Sequence, residues 1–356
     1  MSEKMMMDRD QFIKRLVEIR SLSGEEQAVA QFLIDQMDQL GMDSHIDDAG
    51  NAVGIKERPD ENGRISQTII LLGHMDTVPG NIPVHIKDGI LHGRGSVDAK
   101  GPLATFVQAT AQAALSAGTR VIVIGAVEEE SATSKGARHV ATQSLPDFCI
   151  IGEPSGWDGV TLGYKGRILI DYECKVPMSH TAGQGVGAAE TAVSWWNQLD
   201  NHIKRYNETR PKLFDQLIPS LRDFHTASDG LTNSAKLKVG VRLPPDFDID
   251  AYKNQVLAWG ENAEIKFHGI ETAFQSTRKT KLARLFNRAL RQNGVQPKFK
   301  VKTGTSDMNV VGPVWQCPIV AYGPGDSSLD HTPEEHLVLS EYHQAIGILT
   351  NVLESF

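Results

Sequence analysis

The chain is 356 residues long, has a formal net charge of −8 at pH 7, and contains 40% hydrophobic and 22% charged residues. This length predicts two domains, or one domain that carries a large insertion. No apolar run reaches the roughly 18 residues of a membrane span, and the acidic balance without a basic run argues against a nucleic-acid or anionic-membrane binder. Residues 1–10 lack the apolar core of an export signal, so we expect a cytoplasmic protein.

Apolar strands alternate with helices over the first 163 residues. Ser23 and Glu26 predict a capping box before a helix that Gly41 ends, and further helices are predicted from Pro102 onward and over residues 135–141. Apolar runs predict strands over residues 68–72, 121–127 and 148–151. Strands that are apolar throughout and alternate with helices indicate an α/β fold, in which a mostly parallel sheet has helices on both faces.

From about residue 164 the pattern changes to strict alternation of apolar and polar residues. Residues 167–175 and 233–241 are typical of antiparallel strands with one face in water. A helical stretch with Trp195 and Trp196 lies between them, and a helix (250–262) and a strand (264–268) follow. We therefore predict an inserted α+β sandwich domain over residues 164–273, between the two parts of a catalytic domain, 1–163 and 274–356.

The last part of the chain returns to the first pattern. A helix is predicted over residues 281–292, and strands over 298–302 and 318–322, with the polar loop 304–307 between the two strands. Another loop, 327–336, contains His331 and precedes the last helix.

The three cysteines, Cys149, Cys174 and Cys317, lie far apart in apolar runs. Such positions favour buried thiols in a reducing compartment. Disulfides, a CxxC metal site and a catalytic cysteine are less favoured.

Polar side chains of metal-ligand type follow the predicted strands. They are His74, Asp76 and Asp98 after the first strand, Glu128 to Glu130 after the second, Glu153 after the third, and His331 in the late loop. Singly, each has an ordinary explanation, such as a solvated acidic turn or an exposed loop histidine. Ligands of such sheets, however, bind beyond the carboxyl ends of the strands, so we expect these side chains to meet at one edge.

Two histidines and several carboxylates suit Zn²⁺ or a similar ion better than Mg²⁺ or Ca²⁺. Two ions bridged by a carboxylate would activate a water molecule and polarise a carbonyl group. A spare carboxylate would transfer the proton, so the residues predict amide hydrolysis.

Six motifs together resemble the M20 family of dinuclear zinc amidohydrolases, which includes acetylornithine deacetylase, succinyl-diaminopimelate desuccinylase and carboxypeptidase G. They are residues 74–76, 95–101, 129–130, 152–154, 179–180 and His331, in the family's order across essentially the whole chain. The resemblance implies a zinc-peptidase type sheet domain with an inserted dimerisation domain. It also implies a homodimer with two Zn²⁺ per subunit, for which Co²⁺ can substitute.

The resemblance implies five metal ligands, namely His74, Asp98, Glu130, Glu153 and His331. Asp98 would bridge the ions, and His74 and Glu153 would bind opposite ions. Asp76 would orient the ring of His74, and Glu129 would be the general base. Because the family usually has Asp-Glu-Glu where this chain has three glutamates, a frame shifted to Glu128 and Glu129 is the alternative. A cis peptide bond between Asp98 and Ala99 is also implied.

Residues of the inserted domain and of loop 304–307 match further positions of the family. His180 would stabilise the oxyanion in the neighbouring subunit's site, and a locally bonded turn histidine is the alternative. Arg242 would bind a substrate carboxylate, and an ordinary exposed strand terminus is the alternative. Thr305 and Ser306 would lie on the substrate side.

Within the family, residues 128–138, 152–158, 162–166 and 328–336 are most similar to hydrolases that release lysine or ornithine from the C-terminal glutamate of an acidic amino-group carrier protein. The resemblance implies the last step of carrier-dependent lysine or arginine biosynthesis, with the carrier as partner. Lys135, Arg138, Lys165 and Arg167 could then form a positive rim. The alternatives are an N-acetylornithine deacetylase, a succinyl-diaminopimelate desuccinylase, a dipeptidase, or an inactive binding homologue.

Overall fold

The structure is a computed structural model that describes residues 7–143, 145–180, 185–260 and 262–356. The chain divides into two compact units. The first comprises Met1–Gly163, Gln275–Val301 and Ser306–Phe356, and the second comprises Tyr164–Phe274 and Lys302–Thr305. None of the helices in the described residues has the length and apolar character that crossing a membrane requires.

Helices and strands alternate along most of the chain. The helices are α1 (Arg9–Glu18), α2 (Gln27–Gln39), α3 (Lys100–Gln112), α4 (Lys135–Ala141), α5 (Ala188–Asn207), α6 (Ile249–Ala258), α7 (Lys281–Gln292), α8 (Asp307–Trp315) and α9 (Leu339–Leu353). The strands are β1 (Asp43–Ile46), β2 (Ala52–Arg58), β3 (Gln67–His74), β4 (His85–Lys87), β5 (Ile90–His92), β6 (Thr119–Ala126), β7 (Phe148–Gly152), β8 (Gly159–Tyr164), β9 (Gly166–Pro177), β10 (Ile218–Ser228), β11 (Thr232–Leu243), β12 (Ala263–Glu271), β13 (Phe274–Gln275), β14 (Lys298–Lys302), β15 (Ile319–Tyr322) and β16 (His336–Val338).

The first unit is built on a large sheet in which β1, β2, β6, β3, β7, β15 and β8 follow one another. The central strands β6, β3, β7 and β15 are parallel, and β1, β2 and β8 are antiparallel to their neighbours. Residues 69–72 of β3 are each at most 1% exposed. Because successive strand side chains point to opposite faces, this run must be covered on both faces. The predicted α/β fold with a mostly parallel sheet is confirmed.

The second unit contains an antiparallel sheet in the order β10, β11, β9, β12. Its inner face packs against α5 and α6 through Trp195, Tyr252 and Val256, and the alternating apolar residues of β11 point the same way. The sequence pattern does not predict β10. From Ser220 to Ser228 this strand is exposed throughout, so it lacks the alternation that marks a strand with one buried face.

Two local predictions were wrong. Ser23 and Glu26 do not form a capping box, because α2 begins at Gln27 without a side-chain cap and both side chains bond elsewhere. Lys165 is not a surface cation either. Its side chain is buried, and its ammonium group donates to the backbone carbonyl oxygens of Leu213, Phe214 and Gln216.

Candidate functional site

The central strands of the first unit end level with one another. Gly73 of β3 pairs with Gly125 of β6 on one side and with Gly152 of β7 on the other. His74, the loop after β6 and Glu153 therefore start from the same edge of the sheet. A Cβ atom on Gly152 would lie 2.9 Å from the Cα of Gly73 and 2.9 Å from the ring of Phe106, so only glycine fits there.

Asp98 lies between the two histidines. Its Oδ1 is 3.1 Å from Nε2 of His74, and its Oδ2 is 3.0 Å from Nε2 of His331. Oε1 of Glu130 is 3.0 Å from the same nitrogen of His331, and Oε1 of Glu153 is 3.9 Å from Nε2 of His74. Each oxygen of Asp98 thus faces a different histidine, and each histidine has a further carboxylate beside it. This is the arrangement expected of a carboxylate that bridges two ions.

These distances favour a different grouping from the expected one, in which His74 and Glu153 bind opposite ions. The structure groups His74 with Glu153 and His331 with Glu130. The physical reason is topological, because His74 and Glu153 follow the neighbouring strands β3 and β7, which end level. Potential ligand atoms of His74, Asp98 and Glu130 all lie within 4.8 Å of one another, so this donor set can hold an ion. The peptide bond between Asp98 and Ala99 is cis.

The three consecutive glutamates point in different directions. Glu128 accepts a hydrogen bond from the hydroxyl group of Thr133 and lies 4.0 Å from the ammonium group of Lys135. Glu130 contacts His331, and Glu129 lies among the charges of His74, Asp307 and Glu153. This geometry favours the frame in which Glu129 and Glu130 face the cluster.

The electrostatics of the cluster favour positive charge. Burial lowers the pKa of His74, but the bonds to Asp76 and Asp98 outweigh it and hold that pKa well above its ordinary value. The bonds to Asp98 and Glu130 raise the pKa of His331 to about 10. Burial raises the pKa of Glu129 well above its usual range, and nearby carboxylates add to the effect. Carboxylates packed this closely form a site that attracts cations.

Four consecutive N–H groups of the loop after β6 donate to side chains from distant parts of the chain. The N–H of Val127 donates to Asn51, that of Glu128 to Glu26, and those of Glu129 and Glu130 to the two oxygens of Asp76, at 3.0–3.1 Å. The hydroxyl group of Ser23 also donates to Asp76, at 2.7 Å. These contacts fix the direction of each glutamate.

Asp76 also sets the orientation of His74. The ring Nδ1 of His74 lies 3.0 Å from the backbone oxygen of Asp76 and 3.4 Å from its Oδ1, which leaves Nε2 to face Asp98. The sequence pattern points to Asp76 as a site residue, but it does not identify Ser23, Glu26 or Asn51 as supports of the site. Ser23 and Glu26 are polar residues next to the start of a helix, and a helix cap would account for that position equally well.

The residues predicted to bind substrate are found in both units. Arg242 donates to the hydroxyl group of Thr305 within the second unit, and Thr305 donates to the carbonyl oxygen of Lys165. Ser306, in the first unit, is the N-cap of α8 and accepts the N–H of Met308. His180 is exposed, and the residues that follow it, 181–184, lie outside the described residues.

Comparisons with known proteins agree with this architecture. The profile of peptidase family M20/M25/M40 matches residues 70–355. The chain is 46% identical over 353 residues to the LysW-lysine hydrolase of Deinococcus radiodurans, which covers 96% of this chain and 95% of that protein. It is 29% identical over 302 residues to a LysW-lysine/LysW-ornithine hydrolase of Saccharolobus islandicus, which covers 83% of each. Its fold is similar to an M20 family metallo-carboxypeptidase from Sulfolobus solfataricus, with a TM-score of 0.79 and 16% identity over 98% of this chain and 99% of that chain.

Proposed function

The chain belongs to peptidase family M20/M25/M40 and is a metal-dependent amidohydrolase. We propose that it releases lysine or ornithine from an amino-group carrier protein. The bond cleaved would be the amide between the side chain of the carrier's C-terminal glutamate and the α-amino group of the amino acid. Similarity over 96% of the chain to a hydrolase of LysW-linked lysine, and over 83% of it to a hydrolase of LysW-linked lysine and ornithine, supports this substrate class. Such a step would complete carrier-dependent biosynthesis of lysine or arginine.

The observation that carries the chemistry is the position of Asp98 between two histidines. His74 and Glu153 would hold one Zn²⁺, His331 and Glu130 the other, and Asp98 would bridge them. The mixed nitrogen and oxygen donors fit zinc, and Co²⁺ accepts similar donors. When bound, the two ions would supply a Lewis acid and a nucleophilic water near neutral pH.

Glu129 is proposed as the general base. Its carboxylate lies among the charges of His74, Asp307 and Glu153, and burial raises its pKa well above the ordinary value, which favours proton uptake. In this role it would take a proton from the attacking water and return it to the leaving amine. Asp76 would act on the reaction indirectly, by orienting His74 and the loop that carries Glu129.

Substrate recognition is proposed to involve the second unit. Arg242 and Thr305 lie together there, and a guanidinium group can bind the substrate's carboxylate through two hydrogen bonds. His180 is proposed to reach the active site of the other subunit in a homodimer, where it would stabilise the oxyanion. The edge strand β10 supports a dimer, because Leu221 and Phe224 are about two-fifths exposed on a strand whose outer backbone groups could pair with a second copy.

The test is a comparison of substrates. The zinc-loaded chain is incubated with lysine-charged carrier, ornithine-charged carrier, N-acetylornithine and succinyl-diaminopimelate, and amino acid release is measured. We expect the charged carriers to be hydrolysed with the highest kcat/KM. A preference for either small acylated substrate would refute the carrier assignment, and the absence of any turnover would favour an inactive homologue.

A further inference from the structure

A largely buried ion pair joins the two loops that present Asp98 and His331. Nη1 of Arg94 lies 2.6 Å from Oε2 of Glu335 and also donates to the carbonyl oxygen of Thr332 at 3.2 Å. The side chain of Glu335 is only 1% exposed. Taking two charges out of water costs free energy, which must be offset by additional hydrogen bonds.

The other oxygen of Glu335 makes those bonds. Its Oε1 accepts the backbone N–H of Val97 at 3.0 Å and that of Asp98 itself at 3.2 Å. The backbone oxygen of Glu335 accepts the N–H of Gly93 at 3.4 Å. Glu335 therefore binds the loop that ends in Asp98 through three backbone N–H groups. It also lies only four positions after His331 in the chain, so it connects the two loops.

We propose that Glu335 is a positioning residue that, together with Arg94, holds Asp98 and His331 in the relative positions needed to bind two metal ions. Asp98 must direct one oxygen to each histidine, so a small rotation of its backbone would disturb both sites at once. Glu335 controls that rotation directly, because it accepts the N–H of Asp98. The inference rests on the proposed function, since it concerns the same metal centre.

The experiment measures metal binding rather than turnover alone. Chelator-treated protein is titrated with Zn²⁺ in a calorimeter, and Glu335→Gln is compared with the unmodified chain. In this variant the NH₂ group of the glutamine would face Arg94 or the N–H groups of Val97 and Asp98, which are all hydrogen-bond donors. We therefore expect Zn²⁺ to bind about 10–100-fold more weakly, which is the usual effect of losing a residue that orients a metal ligand. At limiting zinc kcat should fall, excess zinc should restore it, and KM should not change.

Glu334 offers a matched control. It is adjacent in sequence and exposed, and its backbone oxygen, rather than its side chain, accepts a bond from His336. Glu334→Gln makes the same chemical change outside the ion pair, so it should bind Zn²⁺ as the unmodified chain does.

A double variant separates positioning from folding. Arg94→Met with Glu335→Leu removes both charges, so neither is left unpaired in the interior, and circular dichroism checks that the protein is folded. We expect this variant also to bind Zn²⁺ more weakly. If either Glu335 variant is folded and binds two Zn²⁺ with unchanged affinity, the inference is refuted and the proposed function stands. If the unmodified chain binds no Zn²⁺, the proposed function falls and the inference falls with it.

Discussion

Replacing Asp76 by asparagine tests whether this residue holds the loop of the candidate base. Asp76 is completely buried, and its oxygens accept the N–H groups of Glu129 and Glu130 and the hydroxyl group of Ser23. In Asp76→Asn one oxygen becomes an NH₂ group, which cannot accept a hydrogen bond. The hydroxyl group of Ser23 can rotate, but a backbone N–H cannot, so one bond to a charged acceptor is lost inside the protein.

Losing such a bond costs about 1.5–3 kcal/mol, and we expect the free energy of unfolding to fall by that amount. The assay is urea unfolding in the presence of a chelator, so that altered metal binding does not contribute. Ser23→Ala removes only a half-buried hydroxyl group and leaves Asp76 bonded to both N–H groups, so it should cost less, about 1 kcal/mol. Asp35→Asn is the control, because this exposed carboxylate accepts one bond from Gln31 and should change stability by no more than about 0.5 kcal/mol. If Asp76→Asn is no less stable than this control, Asp76 does not hold the loop.

Three further predictions concern the base, the dimer and the strand ends. Glu129→Ala should lower kcat about 10²–10⁴-fold while Zn²⁺ binding is retained, and Glu128→Ala should leave kcat nearly unchanged; the reverse result would establish the shifted frame. Glu129→Ala and His180→Ala proteins should each be nearly inactive alone, but after random subunit exchange about a quarter of the sites would be intact if His180 acts across the dimer. No recovery of activity would place His180 in its own subunit's site, and full activity of His180→Ala alone would place it outside the chemistry. Gly152→Ala should cost about 1–3 kcal/mol in urea unfolding, because the added Cβ meets backbone and Phe106. Gly347→Ala, in α9 with open space around it, should be neutral or stabilising, and similar results for the two would contradict the close strand packing.

The local pattern of apolar and polar residues was sufficient to predict most helices and strands of the first unit. The predicted helices over residues 135–141 and 281–292 and the strand over 298–302 coincide with α4, α7 and β14, because apolar periodicity reflects which face of an element is buried. The α6 prediction extended four residues too far, since helix ends depend on local contacts more than on periodicity. The edge strand β10 left no periodic signal because nearly all of it is exposed.

The sequence by itself determined the fold class and the residue types at the sheet edge, because parallel strands bring their carboxyl ends together whatever the details of packing. Only the tertiary structure decided how those residues combine. It grouped His74 with Glu153, gave the three glutamates separate directions, and turned Ser23 and Glu26 from expected helix caps into supports of the site. The physical reason is that a polar side chain next to a turn can bond locally or to a distant loop at similar free energy. The choice depends on contacts more than 50 residues apart in sequence, as between Ser23 and Asp76, which no local pattern records.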